Sequence, residues 1–335
     1  MKALVTGANG HLGTALTELL VSSGHQVRAS IRGASDPVKS GPLRTLGVEV
    51  VEADVMDAAA MVRACEGMEI VFHLAAVFRF VVTDPQKDLI DPAVKGAENA
   101  LRAAKKAGVR RVVLTSSNVA IGNKSKGDRP LDERDWNDGA VNHYARAKTL
   151  AERRAWELAA ELGQDLVCIN PTGILGPGFA RHTPLTLVLA NMYEGTMPLA
   201  PKFTTSYVDN RDVARAHLLA AENAAAKGRY LVSGEAVPMI ELGRRMKALF
   251  PAAKPPTGEV PTFLNWSLSF FDWFMHKTKG VPRQTTADMV EEYEDPTVRF
   301  NPARAKTELG WSSRPFEETL KDTVDWIVAK RPANW

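Results

Sequence analysis

Cysteines, long hydrophobic runs and strong net charge are all scarce in this sequence. Two cysteines among 335 residues, Cys65 and Cys168, are too few for a disulfide framework, so we expect the reducing environment of the cytoplasm. No apolar run reaches the ~18 residues that span a bilayer, and the longest candidate, 262–275, is interrupted by Asn265 and Asp272. The first residues begin an apolar strand and lack the pattern of a signal peptide. We therefore predict a cytoplasmic protein without a membrane span.

The balance of charge and the scatter of histidines argue against two further classes of function. The net charge is +3, and the basic residues are dispersed rather than interleaved with aromatics in a stripe, so we expect no nucleic-acid partner. The seven histidines form no H-x-x-x-H pattern and no cluster with cysteine, so we expect no metal site. A small molecule is the partner that we expect instead.

Short apolar runs alternate with helical patterns through the first half of the chain. Such alternation predicts an α/β fold, in which a doubly wound parallel Rossmann-type sheet is covered by helices on both faces. Prolines and glycines become frequent after about residue 173. We therefore predict a domain over 1–172 and a smaller, mainly substrate-binding region over 173–335, some of whose segments return to the first domain. The predicted strands are 3–5, 26–31, 48–53, 69–74, 111–115 and 166–170, and the predicted helices are 12–20, 58–65, 93–107 and 142–162.

A glycine-rich turn joins the first predicted strand to the first predicted helix. Gly7, Gly10 and Gly13 are spaced G-x-x-G-x-x-G, which suits a tight turn, a close approach of the backbone to a pyrophosphate, and close helix–strand packing. The helix N-terminus supplies free N–H groups for the phosphates. A glycine turn without a ligand is the alternative, and the placement between strand and helix favours the dinucleotide site. The contacts expected here are Thr6, Gly7, Asn9, Gly10, His11 and Leu12.

The second predicted strand favours NADP(H) over NAD(H). A free ribose 2′-hydroxyl usually meets an acidic residue about 20 residues beyond the glycines, but 27–33 contains none. Arg32 is placed to meet a 2′-phosphate and Lys39 could join it, unless both are simply solvated surface cations. After the third strand, Asp54 could accept a hydrogen bond from the adenine amino group or serve as a turn residue, and we include Val55 beside it among the cofactor contacts.

A tyrosine and a lysine share one face of the long predicted helix. Tyr144 and Lys148 are four residues apart, which places both side chains on the same side. A phenol has a pKa near ~10, and a cation ~4 Å away at an effective dielectric of ~20 would contribute ~4 kcal/mol, or about three pK units. Such a pair suits acid–base catalysis near neutral pH. Read alone, the pattern also fits a helix with two surface residues.

The residues after the fifth predicted strand favour the catalytic interpretation. In doubly wound sheets, ligands bind beyond the carboxyl ends of the strands, and Ser116 and Ser117 stand there. We expect Ser117 to orient a carbonyl group toward Tyr144, with Ser116 nearer the cofactor. A serine-rich turn without catalytic function is the alternative.

With these residues in place, the chain resembles the extended short-chain dehydrogenase/reductase superfamily over nearly its full length. Within it, the chain is most similar to the branch of dihydroflavonol reductases, cinnamoyl-CoA reductases and aldehyde reductases. The motifs of the superfamily lie at 6–13 (TGANGHLG), 72–76 (FHLAA), 115–117 (TSS), 144–148 (YARAK), 170–172 (NPT), 207–214 (YVDNRDVA) and 300–311, and those of the branch lie at 91–96, 132–138, 148–156 and 207–217.

The resemblance implies a site and a reaction. The branch's catalytic triad falls on Ser117, Tyr144 and Lys148, and its phosphate-recognising Arg and Lys fall on Arg32 and Lys39. We therefore predict an NADP(H)-dependent oxidoreductase that reduces an aldehyde or ketone reversibly. Further cofactor contacts are expected at Leu74, Ala75, Ala76, Thr115, Ser116, Pro171, Thr172 and Gly173, and substrate contacts at Phe78, Ser117, Val119, Tyr144, Gly173 and Tyr207.

Two departures from the branch narrow the expected substrate. The plant enzymes have an N-W-Y-C-Y-type sequence where 140–144 reads A-V-N-H-Y, which argues against a coenzyme A thioester. Their T-P-M-D segment is replaced by A-V-F-R-F at 76–80, so a flavonoid is not implied. A bacterial-type carbonyl reductase is therefore favoured.

The sequence is also compatible with other functions and leaves the role of one aromatic stretch undecided. A nucleotide-sugar epimerase and a non-catalytic NADP(H)-binding protein remain alternatives to the reductase, and a homodimer is suggested only by analogy with the superfamily. The aromatic stretch at 263–274 fits a core or a pocket lid, with contact to a membrane or a partner as the less favoured interpretation.

Overall fold

The computed structural model describes residues 1–75, 82–261, 265–279, 286–293, 295 and 298–332. Its strands are β1 (Lys2–Thr6), β2 (Gln26–Ile31), β3 (Glu49–Glu52), β4 (Ile70–His73), β5 (Arg111–Thr115), β6 (Asp165–Pro171), β7 (Gly173–Leu175), β8 (Thr204–Asp209), β9 (Gly228–Val232) and β10 (Ala236–Pro238). Its α-helices are α1 (His11–Ser22), α2 (Pro37–Thr45), α3 (Ala58–Cys65), α4 (Asp91–Lys106), α5 (His143–Leu162), α6 (Pro184–Glu194), α7 (Asn210–Glu222), α8 (Met239–Leu249), α9 (Asn265–Lys279), α10 (Ala287–Glu292), α11 (Ala303–Leu309) and α12 (Phe316–Lys330).

Seven parallel strands form the main sheet in the order β3-β2-β1-β4-β5-β6-β9. The predicted α/β class and the doubly wound Rossmann-type sheet are confirmed, and all six predicted strands are present. The seventh strand, β9, was missed because it comes from the C-terminal half, where a short apolar run stands among prolines and glycines. A second, three-stranded sheet has the order β10-β8-β7.

Alternation along the strands places apolar side chains on both faces of the main sheet. Val5 packs into a core with α1 and α7, whereas its neighbour Leu4 packs into the core on the opposite face, with α3, α4 and α5. A third core fills the C-terminal region between the small sheet and helices α6, α8 and α12. The main sheet is therefore buried from both sides, and its carboxyl edge is the place where loops can form a site.

Helix α2 was not predicted, although it carries Lys39. Gly41 and Pro42 inside it obscure the helical pattern. Its start nevertheless has a recognisable signal, since Asp36 accepts a hydrogen bond from the amide of Val38 and Pro37 occupies the first turn.

Two negative findings concern the residues that the structure describes. Among them, no helix is long and apolar enough to cross a membrane. The same residues contain no group of three or more His, Cys, Asp or Glu side chains that could hold a metal ion.

Replacing Gly13 by Ala tests the packing of α1 on the glycine turn. A Cβ at this position would lie 2.2 Å from the carbonyl oxygen of Gly7, so we expect the free energy of unfolding to fall by about 1–3 kcal/mol. The control is Gly139→Ala, where an added Cβ meets no atom within 4 Å. Denaturant unfolding compares the two variants, and equal stabilities would contradict the proposed close packing.

Candidate functional site

The loops that follow β1 and β4 meet at the carboxyl edge of the main sheet. Gly7 has φ +66°, a conformation that favours glycine, and a Cβ there would lie 3.1 Å from the Cα of Ala75. Thr6 is fully buried, and its hydroxyl accepts hydrogen bonds from the amides of Leu74 and Ala75, both at 3.1 Å. Thr6 therefore joins the two loops, and the absence of a side chain at Gly7 lets them pack closely.

The N-terminus of α1 directly follows the loop after β1. Gly10 is the N-cap residue and offers no side-chain cap, while Asn9 beside it is exposed. The first amides of a helix attract anions when no side chain satisfies them. The cradle of small residues and the uncapped helix thus fit the pyrophosphate of a dinucleotide.

His11 connects the glycine turn to the C-terminal region. Its Nε2–H donates to the carbonyl of Gly176 at 2.8 Å, and its ring lies edge-on to Phe179. Burial lowers the pKa of His11 to about 4, so the ring is neutral near pH 7. Its buried Nδ1 has no partner among the described residues. Leu12 beside it is buried in the core with α7.

The far end of the site combines two cations with a carboxylate that the sequence did not reveal. Arg32 is exposed and directly follows β2. The Nζ of Lys39 lies 3.8 Å from Oδ2 of Asp36. Glu52, from β3, accepts hydrogen bonds from the amides of Gly33 at 2.8 Å and Ala34 at 2.5 Å. These bonds lower the pKa of Glu52 and fix the turn that carries Arg32.

Asp54 and Val55, which the sequence predicts as cofactor contacts, follow β3. Asp54 accepts a hydrogen bond from the amide of Met56 at 2.9 Å, as expected for a residue that ends a strand. Val55 next to it packs against Gly96, and its carbonyl accepts a hydrogen bond from Asn99 at 2.8 Å. Both residues thus have structural contacts of their own.

Tyr144 and Ser117 meet at the ends of α5 and β5. Asn142 caps α5 by accepting hydrogen bonds from the amides of Tyr144 at 3.0 Å and Ala145 at 3.2 Å. Burial raises the pKa of Tyr144 above its usual value, and a hydrogen bond between its phenol and the Ser117 hydroxyl opposes this effect. The phenol therefore holds its proton firmly and has a hydroxyl beside it.

Lys148 lies one helical turn further along α5. Its Nζ donates to the carbonyl oxygen of Thr115 at 3.2 Å. Burial lowers the pKa of Lys148 to about 8, although Glu152 acts in the opposite direction. The ammonium lines a cavity of about 20 Å³, shared with His73, Ser116 and Glu152, which has room for about one water molecule.

The predicted effect of Lys148 on the tyrosine needs a correction. The sequence-based estimate had the lysine lower the pKa of Tyr144 by about three units, but burial raises that pKa and Ser117 alone opposes it. In the structure the Nζ of Lys148 donates to the carbonyl oxygen of Thr115.

A buried carboxylate below Lys148 was missed by the sequence analysis. Glu152 is fully buried and accepts hydrogen bonds from Ser116 at 2.5 Å, Asn170 at 2.8 Å and Arg229 at 2.7 Å. The Ser116 hydroxyl thus points to Glu152. The sequence signals are the spacing of Glu152, four residues after Lys148, and its place in the motif at 148–156.

The predicted cofactor contacts Pro171, Thr172 and Gly173 lie where β6 ends and β7 begins. Pro171 and Thr172 are buried, and the hydroxyl of Thr172 has no partner among the described residues. An unpartnered buried hydroxyl is costly and fits a site completed by a polar ligand. Gly173 packs closely, since a Cβ there would lie 3.0 Å from Leu185. Thr115 directs its hydroxyl to His217 at 2.7 Å.

The predicted substrate contacts Val119 and Tyr207 lie in different apolar clusters. Val119 is buried in one apolar cluster with Tyr144 and Tyr293. Tyr207 instead lies in the third core, stacked on Phe316 at 5.5 Å and only 2% exposed, so its predicted role in substrate binding does not fit its position. Phe78 lies outside the described residues, as do Ala76, which is a predicted cofactor contact, and part of the aromatic stretch at 263–274.

The free energy of unfolding is expected to depend on pH through Lys148. Because its folded-state pKa of about 8 lies below the ~10.4 of an unfolded lysine, the unfolded chain binds more protons between these values. Stability should therefore rise with pH in this window, by up to ~1.4 kcal/mol per pH unit. Denaturant unfolding of wild type and Lys148→Met from pH 7 to 10 measures the effect. As the pH rises, the free energy of unfolding of the wild type should increase relative to that of Lys148→Met. A difference that stays constant with pH would contradict the lowered pKa of Lys148.

Comparisons with solved structures agree with this architecture. The structure of a protein named gox2253 is similar over 99% of both chains, with a TM-score of 0.83 and 27% identity. Yeast methylglyoxal/isovaleraldehyde reductase Gre2, solved with NADPH, covers 98% of both chains with a TM-score of 0.78 and 24% identity, which shows a shared fold.

Comparisons of sequence identify the family. Cinnamoyl-CoA reductase CAD2 of Medicago truncatula is 32% identical over 98% of this chain and 96% of its own length. An anthocyanidin reductase of Vitis vinifera is 31% identical over 78% of this chain and 85% of its own. The model of the NAD dependent epimerase/dehydratase family matches residues 3–233. The chain therefore belongs to the NAD dependent epimerase/dehydratase family, which confirms its resemblance to the extended short-chain dehydrogenase/reductases.

Proposed function

We propose that this protein is an NADP(H)-dependent oxidoreductase that reduces an aldehyde or ketone to an alcohol, reversibly. The observation that carries the proposal is the grouping of Ser117, Tyr144 and Lys148 beside the glycine cradle at the carboxyl edge of the sheet, with the Nζ of Lys148 on the carbonyl that ends β5 and Tyr144 packed against Val119. The relatives support it, because those described above are named reductases. A nucleotide-sugar epimerase is less supported, since the epimerase structures resemble this chain at only 21–23% identity.

The three residues of the site have distinct proposed roles. NADPH supplies the hydride that reduces the carbonyl carbon. Tyr144 donates its phenolic proton to the carbonyl oxygen, and its raised pKa keeps that proton available in the resting site. Ser117 donates a hydrogen bond to the same oxygen and so orients the carbonyl. Lys148, charged below about pH 8, holds the ribose hydroxyls of the nicotinamide half.

The remaining contacts divide between cofactor and substrate. We propose that the glycine turn and α1 hold the pyrophosphate, and that Arg32 and Lys39 bind the 2′-phosphate. Residues 173–335, Gly173 among them, form most of the substrate-binding region, and Val119 contributes from the cluster that contains Tyr144. The reaction belongs in the cytoplasm, where the two buried free cysteines stay reduced. A homodimer remains a prediction.

Replacing Tyr144 by Phe removes the proposed proton donor. We expect kcat for carbonyl reduction to fall by about 10²–10⁴-fold, while the Kd for NADPH stays within twofold. NADPH oxidation and fluorescence titration measure the two quantities. The control is Tyr193→Phe, which alters a phenol in the third core and should keep wild-type turnover. A fully active Tyr144→Phe protein would reject the mechanism.

Replacing Arg32 by Ala tests the choice of cofactor. A lost charge-assisted hydrogen bond is worth about 1.5–3 kcal/mol, so we expect the Kd for NADPH to rise by about 10- to 100-fold and that for NADH to change little. Lys39→Ala should have a smaller effect in the same direction. Arg44→Ala, at the exposed far end of α2, is the matched control. Equal losses for NADPH and NADH would contradict recognition of the 2′-phosphate.

A further inference from the structure

We propose that Glu292 is a positioning residue that sets the geometry between Ser117 and Tyr144, so that α10 completes the active site from the C-terminal region. The inference rests on the proposed function, since it assigns Ser117 and Tyr144 to one reaction. It concerns a segment that the glycine turn, the catalytic motif and the Glu152 network leave unexplained.

The carboxylate of Glu292 is buried and accepts four hydrogen bonds. Its Oε1 accepts from the side-chain amides of Asn123 at 3.0 Å and Asn137 at 2.8 Å. Its Oε2 accepts from the backbone amides of Val141 at 2.8 Å and Asn142 at 3.0 Å. Glu292 is 2% exposed, and all four donors are neutral N–H groups. One carboxylate therefore ties together the loop that follows Ser117 and the loop that precedes Tyr144.

The connection to Tyr144 runs through the cap of α5. The backbone amide of Asn142 donates to Glu292, and its side-chain oxygen accepts from the amide of Tyr144 at 3.0 Å. Asp288, one turn before Glu292 on α10, accepts from the Asn142 side-chain amide at 2.8 Å. Two carboxylates near a helix N-terminus are also favoured by the helix dipole. The cap residue is thus held by α10 through both its backbone and its side chain.

The connection to Ser117 runs through Asn137. The side-chain amide of Asn137 donates to Glu292 and also to the carbonyl of Val119, at 2.9 Å. The amide of Val119 in turn donates to the hydroxyl of Ser117 at 3.3 Å. Two residues, Asn137 and Val119, therefore link Glu292 to Ser117 through hydrogen bonds. A single residue, Asn142, links Glu292 to Tyr144.

The residue next to Glu292 shows that α10 borders the reaction space. Tyr293 packs in one cluster with Val119 and Tyr144, and burial together with the nearby Tyr144 raises the pKa of its phenol. Glu292 itself is directed away, toward the two loops, so its effect on the reaction is one of geometry. Displacements of about 1 Å at reacting groups can cost about 10²-fold in rate.

The test compares Glu292→Gln and Glu292→Ala with Glu291→Gln, which changes an exposed neighbour on the same helix. For Glu292→Gln we expect kcat to fall at least about tenfold, with the Kd for NADPH within twofold, because the glycine turn, Arg32 and Lys39 lie on other elements. Glu291→Gln should keep the wild-type kcat.

Formate added to Glu292→Ala should restore part of the lost kcat in a saturable manner, since it supplies a small carboxylate. If Glu292→Ala does not fold, the kcat of Glu292→Gln decides whether Glu292 is a positioning residue.

Three results would overturn the inference. One is a folded Glu292→Gln protein with wild-type kcat. Another is a parallel loss of kcat and NADPH affinity without rescue by formate, which would indicate general destabilisation. The third is a wild-type protein that binds NADPH and reduces no carbonyl in the same assay, which would reject the proposed function as well. The wild-type measurement therefore separates failure of the inference from failure of the proposed function.

Discussion

The position of the catalytic helix, α5, depends on the hydrogen bonds and the ion pair that the buried carboxylate of Glu152 makes. An unpaired charge in a protein interior costs several kcal/mol, so this carboxylate requires partners wherever α5 lies. It finds them in Ser116 after β5, Asn170 in β6 and Arg229 in β9. Because β9 comes from the C-terminal half of the chain, the same charge joins the two halves of the chain at one edge of the sheet. Arg229 is fixed in turn by stacking on Trp136, 3.9 Å from the ring centre.

Two carboxylates thus hold α5 at different depths. Glu152 fixes the helix against the sheet below Lys148, and Glu292 fixes the loops around its N-terminus. Between them stand a tyrosine whose pKa is raised and a lysine whose pKa is lowered, both chiefly by burial. Environments that shift the pKa values of two neighbouring titratable groups in this way are typical of acid–base sites. In our account, burial keeps the proton on Tyr144 until a substrate oxygen meets both it and Ser117.

Local patterns made the fold class, six strands of the main sheet, four of the helices and part of the site predictable from the sequence. Strands and helices with clear periodicity were predicted within a few residues, and the glycine turn was recognised by its place between strand and helix. The pairs that were missed are distant in sequence: Glu52 with Gly33 is 19 residues apart, Arg229 with Glu152 is 77, and Glu292 with Asn123 is 169. No short motif records such contacts. Tyr207 shows the converse, since its motif suggested substrate contact whereas its ring packs in a core.

The central claim is that a hydride passes from NADPH to a carbonyl carbon in this site. The most direct measurement uses NADPH that carries deuterium on the transferable position of the nicotinamide, with the wild-type protein and a panel of aldehydes and ketones, followed by mass spectrometry of the products. Our account predicts one deuterium on the alcohol carbon for each NADPH consumed. It would be contradicted if no deuterated alcohol formed while a nucleotide sugar was epimerised without net consumption of NADPH.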